Sequence, residues 1–310
     1  MSAKEIFGNE YAEEYLLGGN SACAGCVSEL ALRWALKALG PQTVIVAPAS
    51  CANVYIGVWP GAAPTVPFIN MAFAAGAAAA SGIVAGYQAL GKEDITVMTW
   101  AGDGGTVDIG IQALSGAIER GTNFIYVCYD NEVYANTGTQ RSGSTPLAAV
   151  TTTTPFGKRE HKKDIAKIIA AHEIPYVGVV NGAEPQDVFQ TFKKIKNIKG
   201  TRFVHLFSPC PPGWRYDPSE SIEIARLGVK SGMWILWEQE NGIFSLKKGS
   251  RRYLDKANRI PVDKYLRSQG RFNLASEAEI RQLQDWVDQN WEEVRRRLTC
   301  EGLGSASNPQ

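Results

Sequence analysis

Residues 95–131, ITVMTWAGDGGTVDIGIQALSGAIERGTNFIYVCYDN, contain two strand-like runs joined by a glycine-rich turn and a helix-like run. Each apolar run is short and continuous rather than alternating, which is typical of a parallel strand buried on both faces. The first run leads into AGDG at 101–104, and the second ends in Asp130-Asn131. Ligands of open parallel sheets bind outside the carboxyl ends of the strands. This segment therefore predicts a β-α-β unit with a polar site at its carboxyl edge.

The same alternation of strands and helices continues on both sides of this unit. We predict strands over 43–48, 95–100, 123–129, 176–180 and 202–207, and helices over 71–90, 108–120, 164–172 and 185–195. Such an order predicts an α/β fold in which a parallel sheet is covered by helices on both faces. We expect residues 1–236 to form this domain.

Residues 237–310 have a different character and are expected to form a C-terminal helical extension. Their first part is basic and turn-rich, and Ser276 with Glu279 then reads as a capping box that opens a helix. An apolar stripe follows at helical spacing, at Ile280, Leu283, Val287, Val294 and Leu298. The stripe allows two interpretations: a helix docked on its own domain, or an arm that contacts another subunit.

The overall composition excludes several classes of protein. The 310 residues are 45% hydrophobic and 20% charged, with a formal net charge of +1, so the clustered basic excess of a nucleic-acid-binding protein is missing. The longest apolar run, 71–84, is too short and too rich in Ala and Gly to cross a membrane. The N-terminal stretch is acidic and has no signal-peptide pattern. We expect a soluble, cytoplasmic protein with no nucleic-acid or membrane partner.

Six cysteines are spread along the chain, and four of them form a pattern. Cys23 and Cys26 make a C-x₂-C pair, and Cys51 and Cys210 each follow a predicted strand. Four thiolates suit zinc or an iron–sulfur cluster. One C-x₂-C pair with two scattered cysteines favours the cluster, because structural zinc sites usually pair two such units. A Cys23–Cys26 disulfide is a third alternative, which a reducing compartment disfavours. Cys128, inside a strand, is expected in the core, and Cys300 is expected to have no role.

A second pattern is the polar stretch DNEVYANTGTQRSGSTP at 130–146. It has no apolar periodicity, which predicts a long loop, and long loops of this kind are often functional. Asp103 and Asn131 stand at neighbouring strand ends, and both carry the oxygen ligands that Mg²⁺ prefers. The glycines beside Asp103 would let the backbone approach a diphosphate. A plain surface loop and a plain turn are the alternatives.

Residues 102–146 closely resemble the thiamine-diphosphate segment of the 2-oxoacid:ferredoxin oxidoreductases, in the separate β subunit of the pyruvate type. The resemblance extends over most of the chain, through ACAGC at 22–26, PASC at 48–51, TTTTP at 151–155, SPCPPGW at 208–214 and DKYLRSQGRF at 263–272. It implies a thiamine-diphosphate-binding fold and the oxidative decarboxylation of a 2-oxoacid. Pyruvate is the expected substrate, with an aryl-glyoxylate or oxalate as alternatives.

The resemblance also implies roles for individual residues. The Mg²⁺ ligands would be Asp103, Asn131 and the carbonyl of Val133. The residues that line the diphosphate would be Gly102, Gly104 and Gly105, with Thr106 close by. The ligands of a [4Fe–4S] cluster would be Cys23, Cys26, Cys51 and Cys210. Asn136 would be the catalytic residue that hydrogen-bonds the substrate or the intermediate bound to the thiazolium.

The family resemblance implies partners as well. These are α and γ or δ subunits, ferredoxin or another electron acceptor, and coenzyme A. The glutamate that activates the thiamine is expected on the α subunit. Further clusters are expected on another polypeptide, because this chain has no ferredoxin-like CxxCxxCxxxCP run. We therefore expect the isolated chain to be inactive.

Some features depart from the family pattern or leave other functions open. Gly18-Gly19-Asn20 stands where a histidine is often found, and Val27 stands where a glycine often follows the cysteine pair, so either could alter the cluster's hydrogen bonds or the substrate pocket. Arg141 could meet a carboxylate or a coenzyme A phosphate, or only order its loop. The three histidines are expected to be structural. The rival functions are a non-oxidative thiamine enzyme with zinc or no metal, and an electron-transfer subunit with a vestigial thiamine site.

Overall fold

The computed structural model describes residues 13–300, without the side chain of Cys300, and its centre is a single eight-stranded sheet. The strand order is β2-β1-β3-β4-β6-β5-β7-β8. The strands are β1 (Thr43–Pro48), β2 (Phe68–Met71), β3 (Thr96–Gly102), β4 (Ile125–Asp130), β5 (Tyr176–Asn181), β6 (Arg202–Phe207), β7 (Trp237–Glu240) and β8 (Ile243–Leu246). Strands β1 to β6 pair in parallel, and β7 and β8 form an antiparallel hairpin at one edge.

Helices connect the strands and cover the sheet. They are α1 (Val27–Leu39), α2 (Cys51–Ile56), α3 (Gly76–Ala89), α4 (Ile111–Glu119), α5 (Ile165–Ala170), α6 (Pro185–Ile195), α7 (Pro211–Trp214), α8 (Ser221–Lys230), α9 (Lys248–Arg251), α10 (Val262–Leu266) and α11 (Glu277–Cys300). Short 3₁₀ turns link several of them, and a π-helical turn over Gly104–Asp108 precedes α4.

The sheet separates two hydrophobic cores. Neighbouring residues of one strand enter different cores, as Val97 and Met98 of β3 do, because successive side chains of a strand point to opposite faces. Helices α1 and α6 pack on the face of Met98, and α3, α4, α5 and α11 pack on the face of Val97. The predicted α/β fold with helices on both faces is confirmed.

Two predicted elements differ in the structure. The helix predicted over 71–90 begins only at Gly76, because Phe68–Met71 pairs with β1 as an edge strand. Gly76 lies against Pro48 and Thr99, where an added Cβ would come within 3.1 Å of both side chains. The helix predicted over 108–120 is preceded by the π-helical turn, which carries the glycine-rich loop into α4.

The C-terminal segment packs on the same chain. The hairpin β7–β8 joins the sheet beside β5, and the apolar stripe of α11 is buried in the core that β3 and β4 share. The predicted capping box is present: the Ser276 N–H donates to Glu279 Oε2 (2.8 Å), and the Glu279 N–H donates to Ser276 Oγ (3.3 Å). The division at residue 236 and a contact with another subunit stay predictions. Within residues 13–300, no helix is long and apolar enough to cross a bilayer.

Candidate functional site

The carboxyl ends of four adjacent strands, β1, β3, β4 and β6, meet at one edge of the sheet. A predicted site residue stands just after each of them: Cys51, Asp103, Asn131 and Cys210. The parallel topology thus brings together residues that are up to 159 positions apart in the sequence.

The first of two cavities at this edge, which we call the glycine-loop cavity, has a volume of about 210 Å³. The predicted residues that line it are Gly102, Asp103, Gly104, Gly105, Asn131, Val133 and Asn136. Thr106 does not line it. Its side chain is fully buried and donates from Oγ1 to the carbonyl of Gly102 (2.8 Å), so it anchors the loop from behind.

Three oxygen atoms converge beside this cavity. The amide oxygen of Asn131 lies 3.0 Å from Asp103 Oδ1 and 2.6 Å from the carbonyl oxygen of Val133. Adjacent ligands of an octahedral Mg²⁺ are about 3.0 Å apart, because the metal binds oxygen at ~2.0–2.1 Å. Either a cation between the oxygens or an amide turned to present its NH₂ group would relieve their repulsion. The carboxylate, amide and carbonyl oxygens are of the kind that Mg²⁺ prefers, and the 3.0 Å separation matches that of adjacent ligands.

Asp103 is buried, and its surroundings disfavour its charge. Burial and the nearby carboxylate of Asp130 raise the pKa of Asp103 well above its usual range. Ser142 Oγ donates a hydrogen bond to Asp103 Oδ2, and that partner was not identified from the sequence, although the loop containing it was. A divalent cation beside Asp103 would supply the missing positive charge.

Tyr134 packs directly on the glycine loop. A Cβ on Gly104 would overlap the Tyr134 ring, so this position requires glycine. The Tyr134 hydroxyl donates to Asp108 Oδ2 (2.7 Å), and the Gly143 N–H donates to the same oxygen (2.9 Å). Although burial opposes it, these hydrogen bonds and Lys163 hold the pKa of Asp108 below its usual value. Asp108 therefore fixes Tyr134 and the loop of 130–146 to the start of α4.

The second cavity, the cysteine cavity, has a volume of about 110 Å³. All four predicted cluster ligands line it: Cys23, Cys26, Cys51 and Cys210. All four are free thiols, so Cys23 and Cys26 are not joined by a disulfide. Cys26 stands at the start of α1, Cys51 begins α2, and Cys210 stands at the start of α7.

Two opposing effects act on the ionisation of three thiols in this cavity. Desolvation raises the pKa of Cys26 to about 12 and that of Cys51 to about 11, and it raises the pKa of Cys210 as well. Backbone N–H groups of Glu29, Asn136 and Gly213 approach these sulfurs and partly offset the shifts. Thiolates held by metal need such donors, and metal binding must displace the thiol protons.

The four cysteines of the cysteine cavity match the ligand number of a [4Fe–4S] cluster. Among the described residues, no three His, Cys, Asp or Glu side chains are grouped as ligands of a single metal ion. A [4Fe–4S] cluster instead takes its four cysteine ligands on separate iron atoms, so their sulfurs can surround a cavity. Four free cysteines on one cavity fit that requirement.

The two cavities share a wall. Cys51, Asn131, Ala135 and Asn136 line both of them. The backbone N–H of Asn136 approaches the sulfur of Cys51. These four residues would therefore contact both a group bound in one cavity and a group bound in the other.

Comparisons with known proteins find relatives over most of the chain. The chain is 44% identical over 294 residues to the ketoisovalerate oxidoreductase subunit VorB of Pyrococcus horikoshii, which covers 92% of this chain and 93% of that relative. It is equally 44% identical over 288 residues to the pyruvate synthase subunit PorB of Methanothermobacter thermautotrophicus, covering 91% of this chain and 98% of that one. The chain belongs to the β subunits of the 2-oxoacid:ferredoxin oxidoreductases.

Both the family and the enzyme class predicted from the sequence are thereby confirmed. The family model described as "Thiamine pyrophosphate enzyme, C-terminal TPP binding domain" matches residues 58–206. A solved 2-oxoglutarate:ferredoxin oxidoreductase from Magnetococcus marinus superposes with a TM-score of 0.56 at 20% identity, over 73% of this chain and 80% of that chain, and shows the shared fold. The β subunit thus contains a thiamine-diphosphate-binding domain of a 2-oxoacid-oxidising enzyme.

The match to the general thiamine domain divides the site in two. Residues 58–206 include the predicted diphosphate and Mg²⁺ residues, but they include none of the four cysteines of the cysteine cavity. The cysteines therefore lie on loops outside the segment that this β subunit shares with thiamine enzymes in general.

Other residues considered in the sequence lie away from both cavities. Val27 does not line the cysteine cavity, and its side chain is buried against Gly182. Cys128 is buried in β4, as predicted. His205 is also buried in the β subunit core, where its Nε2 lies 2.8 Å from Asp130 Oδ2. Arg141 is exposed.

Proposed function

We propose that this β subunit holds thiamine diphosphate in the glycine-loop cavity and a [4Fe–4S] cluster in the cysteine cavity, and that electrons from a 2-oxoacid pass across the shared wall. The observation that carries the proposal is that wall of Cys51, Asn131, Ala135 and Asn136. Electron transfer is favoured by a short separation between donor and acceptor. An oxidative reaction requires a nearby electron acceptor, whereas non-oxidative thiamine chemistry does not.

In the glycine-loop cavity, we assign the diphosphate and its Mg²⁺ to the residues predicted from the sequence. Asp103, Asn131 and the carbonyl of Val133 would bind the metal, and the backbone of Gly102, Gly104 and Gly105 would approach the diphosphate. Bound thiamine diphosphate would supply the carbanion that attacks a 2-oxo carbon and the electron sink that takes up the bonding pair as CO₂ leaves. This chain's residues bind and orient that cofactor, and Ser142 holds the second oxygen of Asp103.

In the cysteine cavity, Cys23, Cys26, Cys51 and Cys210 would each bind one iron of the cluster. A cluster so placed accepts electrons one at a time. The N–H groups near Cys26, Cys51 and Cys210 would stabilise the negative charge on their sulfurs, which tunes the reduction potential of such clusters.

The expected substrate is pyruvate, and we assign its hydrogen-bonding partner to Asn136. Asn136 is exposed at the mouth of the glycine-loop cavity, where a small 2-oxoacid could reach its amide. The similarity to a relative named pyruvate synthase supports pyruvate, and the equal identity to a relative named ketoisovalerate oxidoreductase makes a branched 2-oxoacid the competitor to test.

We further propose that the chain works in a complex. Its relatives are named as subunits, which supports partner subunits, proposed to be of the α and γ or δ types. Ferredoxin as electron acceptor and coenzyme A as acyl acceptor are proposed from the family resemblance of the sequence. Residues 237–310 would provide a contact with one of these subunits. The reducing cytoplasm is the expected location, because it preserves free thiols.

The experiment is reduction of a viologen dye by the anaerobically purified complex, measured with pyruvate, 3-methyl-2-oxobutanoate, phenylglyoxylate and oxalate. We expect dye reduction that requires thiamine diphosphate, with the highest kcat/KM for pyruvate. CO₂ release without dye reduction would overturn the oxidative function. Dye reduction that is highest with another acid would overturn only the substrate assignment.

A further inference from the structure

Glu132 stands between Asn131 and Val133, the two proposed metal ligands of the β4 loop, yet it lines neither cavity. It is 1% exposed, and its φ of +60° lies in the left-handed region that disfavours residues with side chains. A conformation of this kind costs on the order of 1 kcal/mol or more and persists only where the surroundings enforce it.

Buried cations and a donor hold the side chain of Glu132. Arg271 Nη2 lies 2.6 Å from Oε2, and Lys162 Nζ lies 2.8 Å from Oε1. Trp234 Nε1 also donates to Oε1 (3.2 Å). Both carboxylate oxygens are therefore fixed by charged or N–H donors away from solvent, where such hydrogen bonds are strong.

The backbone of Glu132 is fixed as well. Its N–H donates to Asp130 Oδ1 (2.8 Å), and its carbonyl accepts from Thr145 Oγ1 (2.7 Å). The Asp130 carboxylate is in turn held by His205 through its other oxygen (2.8 Å). With the side chain and both peptide groups bound, the loop can turn only as it does here.

Arg271 reaches the same loop by a second route. Its guanidinium lies 3.7 Å from the centre of the Trp214 ring, and Trp214 Nε1 donates to the carbonyl of Asn131 (2.7 Å). The Trp214 N–H donates to the carbonyl of Cys210 (2.8 Å). Arg271 therefore contacts both the Glu132 side chain and Trp214, which holds the carbonyl of Asn131.

We propose that Glu132 and Arg271 are positioning residues, which hold the Asn131 amide and the Val133 carbonyl at the spacing that a divalent cation needs. The proposal rests on the function proposed above and concerns the affinity for Mg²⁺ rather than the chemical step. Partners behind metal ligands typically affect metal affinity by about 10- to 100-fold. An ion pair that served stability alone would leave this affinity unchanged.

The test is the Mg²⁺ concentration that gives half-maximal binding of thiamine diphosphate, measured by equilibrium dialysis of the complex after removal of both with a chelator. Glu132→Gln keeps the shape of the side chain and removes its charge, and we expect it to raise this concentration about 10- to 100-fold. Arg271→Lys keeps the charge and loses the planar contact with Trp214, and we expect a smaller rise. It serves as the second variant if Glu132→Gln does not fold.

The matched control is Asp187→Asn, which breaks another ion pair, with Lys247 at 2.8 Å, away from both cavities. We expect it to leave the Mg²⁺ requirement unchanged. A Glu132→Gln or Arg271→Lys complex with the wild-type Mg²⁺ requirement would overturn the proposal. A wild-type complex whose thiamine diphosphate binding needs no divalent cation would instead overturn the proposed metal site itself.

Discussion

At the scale of single residues, Asp103 shows how a metal site can reduce the stability of a fold. Its carboxylate is buried near Asp130, and Ser142 Oγ donates a hydrogen bond to it. A negative charge that is buried without a cation beside it lowers the free energy of unfolding. The ionised Asp103 carboxylate is therefore favourable in the fold only when a cation is bound beside it.

Asp103→Asn should consequently increase the stability of the metal-free chain while it prevents binding of the metal. Removing the buried charge should raise the free energy of unfolding of the metal-free chain at pH 7 by roughly 1–2 kcal/mol. It should also abolish the increase in melting temperature that Mg²⁺ with thiamine diphosphate gives the wild type. Thermal unfolding with and without these ligands measures both effects. An Asp103→Asn variant that keeps the ligand-induced increase would exclude Asp103 as a metal ligand.

The cysteines allow a matched pair of substitutions. Cys51→Ala should remove a cluster ligand, so we expect loss of most of the iron bound by this chain and of dye reduction, with thiamine diphosphate still bound. Cys128→Ala should keep both, because Cys128 is buried in β4 and lines neither cavity. Iron analysis and dialysis of the anaerobically purified complexes measure the difference. Equal iron content in the two variants would contradict the four-cysteine assignment.

Sequence patterns identified the residues that touch the cavities better than those that act behind them. Cys51 and Asn131 were found because each follows a strand-like run. The pairing of Glu132 with Arg271 joins residues 139 positions apart, which no local pattern encodes. The side chain of Val27, next to Cys26 in the sequence, enters the core instead of the cavity, and its effect on the cluster or the substrate stays a prediction.

At the scale of elements, the π-helical turn carries the glycine loop past Tyr134. Gly104→Ala would place a Cβ inside the Tyr134 ring and should force the 130–146 loop outward. We expect at least a tenfold weaker affinity for thiamine diphosphate and a lower melting temperature.

The control for this substitution is Gly82→Ala. Gly82 lies in α3 with no atom within 4 Å of an added Cβ, so alanine should stabilise the helix by about 0.5–1 kcal/mol without changing cofactor affinity. Dialysis and thermal unfolding distinguish the two variants. Unchanged cofactor affinity in Gly104→Ala would show that Tyr134 can move away without consequence.

The loop after β4 also predicts a pH dependence. Burial, together with Arg141, lowers the pKa of Lys158 from 10.5 to about 8, while its Nζ donates to the carbonyl of Thr145 (2.6 Å). Between pH 8 and pH 10.5 the unfolded chain holds this proton and the folded chain has lost it, so the free energy of unfolding should rise with pH in that window. Below pH 8 the cost of the buried charge is present in full.

Urea unfolding of the wild type and of Lys158→Met at pH 7.5 and pH 10 tests this dependence. The stability of the wild type relative to the variant should increase between the two pH values, because the variant has no proton to lose at this position. Other titrating groups are common to both proteins and cancel in the comparison. A difference that stays constant with pH would contradict the lowered pKa.

Element prediction was reliable where strands are fully buried. β1, β6 and α6 have the predicted bounds, because continuous apolar runs and Pro185 at the start of the helix mark their limits. The edge elements were not found. β2 is only four residues long and half exposed, and β7 alternates buried with half-buried residues, so neither has the apolar run of a central strand.

At the scale of the whole molecule, two cavities lie at one edge of the sheet, and their predicted ligands come from different parts of the sequence. The segment 58–206 matches a general thiamine-binding domain, and the cysteine loops before and after it add the second cavity. The sequence motifs indicated both sets of residues. That Cys51, Asn131, Ala135 and Asn136 form a wall common to both cavities follows only from the strand order β1-β3-β4-β6.

The central claim is that oxidation at one cavity reduces a cluster in the other. The most direct measurement is the visible absorption of the anaerobically purified complex before and after adding pyruvate without an external acceptor, for the wild type and for Asp103→Ala. The wild type should be brown and should bleach on addition of pyruvate, whereas Asp103→Ala should be equally brown and should not bleach. A colourless wild type, or equal bleaching of the two complexes, would contradict the account.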